Sequence, residues 1–123
     1  MALELTYNGD TNIPVEIEGI TPDTIEQLSV AEIEKLPVFH GKEKCVLADF
    51  FKVSGDAADL DMRLGGGLTG VHWIGTKMQA GSITIEGDCG RHLGSEMRGG
   101  TITVNGNAGD WIGGEMKGGL IHV

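Results

Sequence analysis

The stretch Trp73-Ile74-Gly75-Thr76-Lys77-Met78-Gln79-Ala80-Gly81-Ser82-Ile83-Thr84-Ile85 returns in step as His92-Leu93-Gly94-Ser95-Glu96-Met97-Arg98-Gly99-Gly100-Thr101-Ile102-Thr103-Val104. It returns again as Trp111-Ile112-Gly113-Gly114-Glu115-Met116-Lys117-Gly118-Gly119-Leu120-Ile121-His122-Val123. Each column recurs with a period of 19, as in Gly75, Gly94 and Gly113, in Met78, Met97 and Met116, and in Ile83, Ile102 and Ile121. A fixed period of this length marks stacked units. Ile83-Thr84-Ile85 alternates as a strand does, with both isoleucines on one face. The glycines between strands permit positive φ or close approach of the next coil. Coils stacked about 4.8 Å apart align the apolar columns into ladders, so a unit too small to bury its own face gains a core. The fold class expected is mainly β, a stacked β-helix of Gly-rich 19-residue GXGXG-type repeats behind a small α+β segment.

Working outward, Met62-Arg63-Leu64-Gly65 resembles a strand of the same kind and serves as an entry coil, so the coils are placed at residues 53–123. Residues 1–52 are irregular. Leu3 to Tyr7 alternates, Asn8-Gly9 offers a turn, and residues 13–20 alternate again, which predicts a β-hairpin. Thr21-Pro22-Asp23 reads as an N-cap followed by Pro at the first helical position, and Ser29-Val30-Ala31-Glu32 has capping-box spacing. Two short helices are therefore expected before Pro37. Phe39, Val46, Leu47, Phe50 and Phe51 make residues 39–51 the densest apolar segment, expected to plug or dock onto something.

Of 123 residues 21 are Gly and only 3 are Pro, with no Gly-X-Y period, so collagen is excluded. The apolar content separates the chain from a disordered linker. A formal charge of -9 disfavours phosphate backbones and anionic lipid, so no nucleic-acid or membrane partner is expected. Neither a signal peptide nor an apolar run of membrane-spanning length is present, and Cys45 and Cys89 have no metal or disulfide spacing, so the compartment expected is the cytoplasm. A short stack ending on Val123, a ladder residue, leads to the expectation that either the remainder of a longer protein follows or a homo-oligomer covers that end, and other subunits are the partners expected.

Several constellations touch chemistry. Gly65, Gly67 and Gly70 match the letters of a dinucleotide-binding loop, but Val71-His72-Trp73-Ile74-Gly75 follows without helical period, so a turn between coils is the better reading. His72, Cys89 and His92 offer metal-ligand chemistry in neighbouring turns. His92, however, shares a column with Trp73 and Trp111, and Cys89 with Ala108, so the competing reading is a stacked aromatic column. Lys77 lies in the column of Glu96 and Glu115, and Arg91 in that of Asp110. Paired carboxylates can do acid–base work, though such outward ladders are usually solvated. His40 and His122 stand alone. No catalytic, cofactor-binding or metal residue is assigned.

Ile74-Gly75-Thr76-Lys77-Met78, Leu93-Gly94-Ser95-Glu96-Met97-Arg98-Gly99-Gly100 and the run from Gly109 to Gly119 resemble the C subunit of formylmethanofuran dehydrogenase. That subunit shares its repeat with the C-terminal domain of the large glutamate synthase subunit. Leu36-Pro37-Val38-Phe39-His40-Gly41 and Leu47-Ala48-Asp49-Phe50-Phe51 resemble the lead-in of the dehydrogenase C subunit, which glutamate synthase lacks. The resemblance spans roughly residues 20–123, the N-terminal part of such a subunit, and family members continue for several more coils. It implies a right-handed β-helix scaffold in a complex of one-carbon metabolism. In archaeal methanogenesis a molybdenum or tungsten pterin subunit reduces CO2 and an amidohydrolase-like, metal-bearing subunit attaches formate to methanofuran. In methylotrophy the related formyltransferase/hydrolase complex releases formate. The resemblance implies no catalytic residue in this chain, and it puts the pterin or zinc in the redox, formyltransferase or hydrolase partners. A glutamate-synthase-like spacer domain and a small metal-dependent enzyme built on His72, Cys89 and His92 are the alternatives.

Overall fold

The computed structural model describes residues 3–9, 13–56, 58–109, 112–114 and 116–123. Four strands repeat along the C-terminal half: β6 (Asp61–Gly65), β8 (Ser82–Ile85), β9 (Thr101–Val104) and β10 (Leu120–His122), with the short β7 (Val71–His72) between the first two. They stack in parallel, with Ile83 opposite Ile102 and Ile102 opposite Ile121. Both offsets equal the period of the sequence. Alternation sends Ile83, Ile85, Ile102 and Val104 into the core, where all four are buried. Ser82, Thr84, Thr101 and Thr103 face outward. The chain is mainly β, and the described residues include two α-helices, of four and five residues.

Close coil stacking explains the glycine content where a side chain would collide. A Cβ on Gly99 would press on the Gln79 carbonyl oxygen, and one on Gly118 on that of Arg98. Ala80 occupies the same column one coil earlier, so alanine is tolerated only where the preceding coil differs.

The step from β6 to β8 is longer. Met62 faces Ile83 at an offset two greater than the period, and Leu68 still bridges to Cys89 with that larger offset. Trp73 then stacks on His92 with the regular one. The surplus pair of residues therefore lies within 69–72. It has a use: the Gly70 carbonyl accepts the Val15 amide at 2.9 Å.

That contact belongs to an arrangement the sequence did not predict. The N-terminal strand β1 (Leu3–Tyr7) and β2 (Val15–Glu16) do not form the expected hairpin. β1 pairs in parallel with β6, placing Leu3 on Met62 and Leu5 on Leu64, whereas β2 pairs in parallel with β7 in a second sheet. The ladder thus runs β10, β9, β8, β6, β1, with an antiparallel edge strand β5 (Phe51–Ser54) beyond β1. Burial explains the outcome. Leu3, Leu5, Val15 and Ile17 are all buried, each contributing roughly 2 kcal/mol of apolar transfer, which an isolated two-stranded hairpin would leave half-solvated.

Between this first coil and β6 the chain makes an excursion that covers it. Helix α1 (Pro22–Ile25) starts at Thr21, whose amide donates to the Thr24 hydroxyl at 3.1 Å while its carbonyl accepts the Thr24 amide at 3.1 Å. Helix α2 (Val30–Glu34) starts at Ser29, whose hydroxyl accepts the Glu32 amide while the Glu32 carboxylate accepts the Ser29 amide. Those bonds hold the Glu32 carboxyl below its ordinary range. The hairpin β3 (Pro37–His40) and β4 (Glu43–Val46) extends the second sheet to β4-β3-β2-β7, and a single 3-10 turn leads into β5. Phe51 packs edge-on against Tyr7, with ring centroids 5.3 Å apart.

Candidate functional site

Two surfaces carry the residues singled out from the sequence. The first is a groove of about 530 Å3 where the corners of successive coils meet, lined by Thr69, His72, Asp88, Cys89, Arg91 and Asn107 among others. The local geometry is set by tight corners. Trp73 and His92 occupy equivalent positions and both hold φ near the left-handed helical value, 64° and 60°. Their rings stack at 4.0 Å with only 2° between planes. An aromatic pair of this kind contributes roughly 1 kcal/mol beyond its burial, comparable to the cost of one such backbone conformation. Trp111, next in the column, lies outside the described residues, as do Asp110 and Glu115 of the charge columns.

His72 and Cys89 both line the groove, but His92 is committed to its stack on Trp73. Among the described residues no group of three His, Cys, Asp or Glu side chains is placed to hold a metal ion. Cys89 is buried, and burial pushes its thiol pKa up, reinforced by Asp88 and opposed by the Gly109 amide. Burial, Glu43 and Asp49 push the Cys45 thiol up as well. Both remain protonated at neutral pH and are poor nucleophiles. His72 accepts the Arg91 backbone amide on Nδ1 at 2.6 Å, so that nitrogen is not open to act as a base. Burial lowers the His72 pKa, Arg91 lowers it further, and Glu16 opposes the shift. The groove therefore offers polar contacts without a nucleophile–base pair. The His72–Arg91 bond had not been anticipated. Its only trace in the sequence is that the two residues share a column.

The glycines at 65, 67 and 70 lead into β7 and not into a helix, so they form a corner between coils and no dinucleotide loop. Lys77 and Glu96 occupy equivalent left-handed positions on successive coils, with φ of 62° and 55°.

The second surface is the outward face of the β3–β4 hairpin. The apolar segment 39–51 mostly serves this chain's own core, since Leu47 is fully buried and Phe50 and Phe51 nearly so. Phe39 and Val46 are the exceptions, 44% and 37% exposed. Strand alternation puts them on one face with Lys44, which lies opposite Phe39 across the hairpin. Lys35 and Lys42 are exposed nearby. The free edge of β4 is guarded, because the Val46 amide donates to Asp49 Oδ2 at 3.0 Å.

Among the described residues no helix is long and apolar enough to cross a membrane. No protein-family model matches the sequence. The chain is 43% identical over 94 residues to the C subunit of the molybdenum-containing formylmethanofuran dehydrogenase 1 of Methanothermobacter thermautotrophicus, a match covering 76% of this chain and 24% of the relative. It is 37% identical over 88 residues to the C subunit of the tungsten-containing formylmethanofuran dehydrogenase 2 of the same organism, covering 68% and 33%. Among solved structures it resembles a chain of the formyltransferase/hydrolase complex (FhcABCD) from Methylorubrum extorquens, solved in complex with methylofuran. There the TM-score is 0.87 at 34% identity, over 96% of this chain and 44% of that one. The chain thus spans between a quarter and a half of the length of the proteins it matches.

Proposed function

Because the chain belongs to the family of formylmethanofuran dehydrogenase C subunits, we propose that it is a non-catalytic scaffold, a right-handed β-helix that holds the catalytic subunits of a one-carbon complex together. The observation that carries this reading is the structural likeness over nearly the whole chain to a component of a multi-subunit formyl-processing assembly. In this reading residues 61–123 carry the main coils, and the part before them adds a first coil and its cover, so the boundary expected at 52/53 falls inside β5 and moves to the start of β6. The partners are amidohydrolase-like, formyltransferase or redox subunits, and the assembly works in the cytoplasm.

Two relatives carry molybdenum or tungsten in their names. The donor set of this chain does not suit such a centre. Its two cysteines are Cys45, on the β3–β4 hairpin, and Cys89, buried in the groove as a protonated thiol. The metal chemistry is accordingly assigned to the partners, and no step is routed through this chain. The likeness falls on dehydrogenase C subunits, so neither the glutamate-synthase-like spacer nor a small metal enzyme is carried forward.

The docking face is narrower than the whole 39–51 segment. Phe39 and Val46 are exposed apolar groups, and residues 35–52 hold four lysines against Glu43 and Asp49 in a chain of net charge -9. Such a patch suits a partner surface that is apolar at its centre and acidic at its rim. The test is co-expression of this chain with the hydrolase and formyl-transferring or redox subunits of its own assembly, followed by affinity capture and a formyl-turnover assay. The expected result is a complex containing this chain. Phe39→Ser with Val46→Ser should reduce recovery, and Cys89→Ala should leave turnover per complex within about twofold. A catalytic assembly that forms and turns over equally well without this chain would sink the scaffold assignment.

A further inference from the structure

The corner at residues 88–91 leaves one backbone amide in need of an unusual acceptor. The Val71 carbonyl accepts from Gly90 N at 3.1 Å, and Trp73 N donates to the Arg91 carbonyl at 3.0 Å. The intervening Arg91 amide donates to the imidazole Nδ1 of His72, one coil earlier, at 2.6 Å. Gly90 makes room for this, since a Cβ there would collide with the His72 ring and with the Val71 carbonyl. An imidazole that accepts at Nδ1 is neutral and carries its proton on Nε2.

We propose that His72 is a proton-operated latch between two successive coils, closed when the imidazole is neutral and opened when a proton binds Nδ1. The step is simple in its balance. A solvent proton adds to the Nδ1 lone pair, the ring becomes an imidazolium, and two N–H donors then face each other where a hydrogen bond had been. The Arg91 amide loses its acceptor, and the 88–91 corner, which walls the groove, loosens.

Burial of the ring favours the closed state first, Arg91 and His92 add to it, and Glu16 opposes it. Glu16 faces His72 across β2 in parallel register, and the turn brings Asp88, Arg91 and His92 to the same end. Burial and the cation at Arg91 outweigh Glu16, so the folded protein binds the His72 proton less readily than the unfolded chain. A depressed folded-state pKa means that the latch contributes its full stability above the ordinary imidazole value of about 6.5. That contribution is lost as the pH falls through the lower folded-state value.

Amide hydrogen exchange read by NMR, together with the His72 ring resonances, tests the latch on the whole chain. As the pH is lowered from about 7.5 through the His72 titration read from its own ring resonances, the Arg91 amide protection factor, corrected for intrinsic exchange, should fall roughly tenfold in step with that titration. In His72→Asn the side-chain oxygen stands near the Nδ1 position and does not titrate, so protection should persist across the range. In His72→Ala it should be low throughout. Should the alanine variant not fold, wild type and the asparagine variant decide the matter between them. Protection that ignores the His72 titration, or that falls equally in His72→Asn, overturns the latch.

Discussion

The coils of 61–123 and the cover of 22–54 build their cores by different rules. In the coils the ladder side chains sit on their own counterparts, Ile83 on Ile102 on Ile121, and β6, β8, β9 and β10 each pair with the next of the series. In the cover the buried residues have no counterparts. Ile25, Ile33, Leu47 and Phe51 come from two helices, a turn and an edge strand, and all four are buried in one core cluster. A ladder spreads its cohesion over equivalent neighbours, while the cover depends on single contacts that nothing duplicates.

The most severe way to break this contrast is Phe51→Ala. Phe51 is nearly fully buried between the cover and β1, so its loss should cost about 3–5 kcal/mol in denaturant unfolding. Because β5 pairs with β1 within the ladder sheet, one transition is expected, with an unchanged m-value. Separate melting of the cover would show that the two regions are less coupled than their shared sheet indicates. Gly99→Ala probes the coils instead. The new Cβ presses on the Gln79 carbonyl, and the overpacking should cost about 1–3 kcal/mol. A neutral result would mean that the coils can spread apart locally. Ser29→Ala, removing the hydroxyl that caps α2, should cost about 1 kcal/mol. A loss well below that would place α2 among elements held by tertiary packing of Ile33 and not by its own cap.

The same contrast explains what could be seen in the sequence. The period, the inward faces of β8 and β9, the two helix caps and the stack of His92 on Trp73 were legible because each depends on residues at short or repeated separations. The placement of β1 and β2 was not. Leu3 meets Met62 and Val15 meets Val71, pairings distant along the chain with no repeat to mark them. A local Asn8-Gly9 turn signal pointed to a hairpin, and the burial available in the ladder overrode it. In residues 39–51 the apolar content was plain, but which alternate side chains face the core depends on where the hairpin lands. Phe39 is left outside for that reason, while Val38 is buried. The groove chemistry was the least visible, since the role of His72 follows from a count of backbone acceptors that only the folded corner supplies.

Coils as alike as these carry a hazard during folding, because a strand that docks one whole coil out of phase still finds isoleucine opposite isoleucine. The surplus pair within 69–72 removes that ambiguity. Only the corner that contains it reaches across with the Gly70 carbonyl to the Val15 amide, and the regular corners further along have nothing equivalent among the described residues. A slipped array would forfeit that bond and the fit of β2 against β7, so the irregular corner works as an index mark from which the remaining coils are counted.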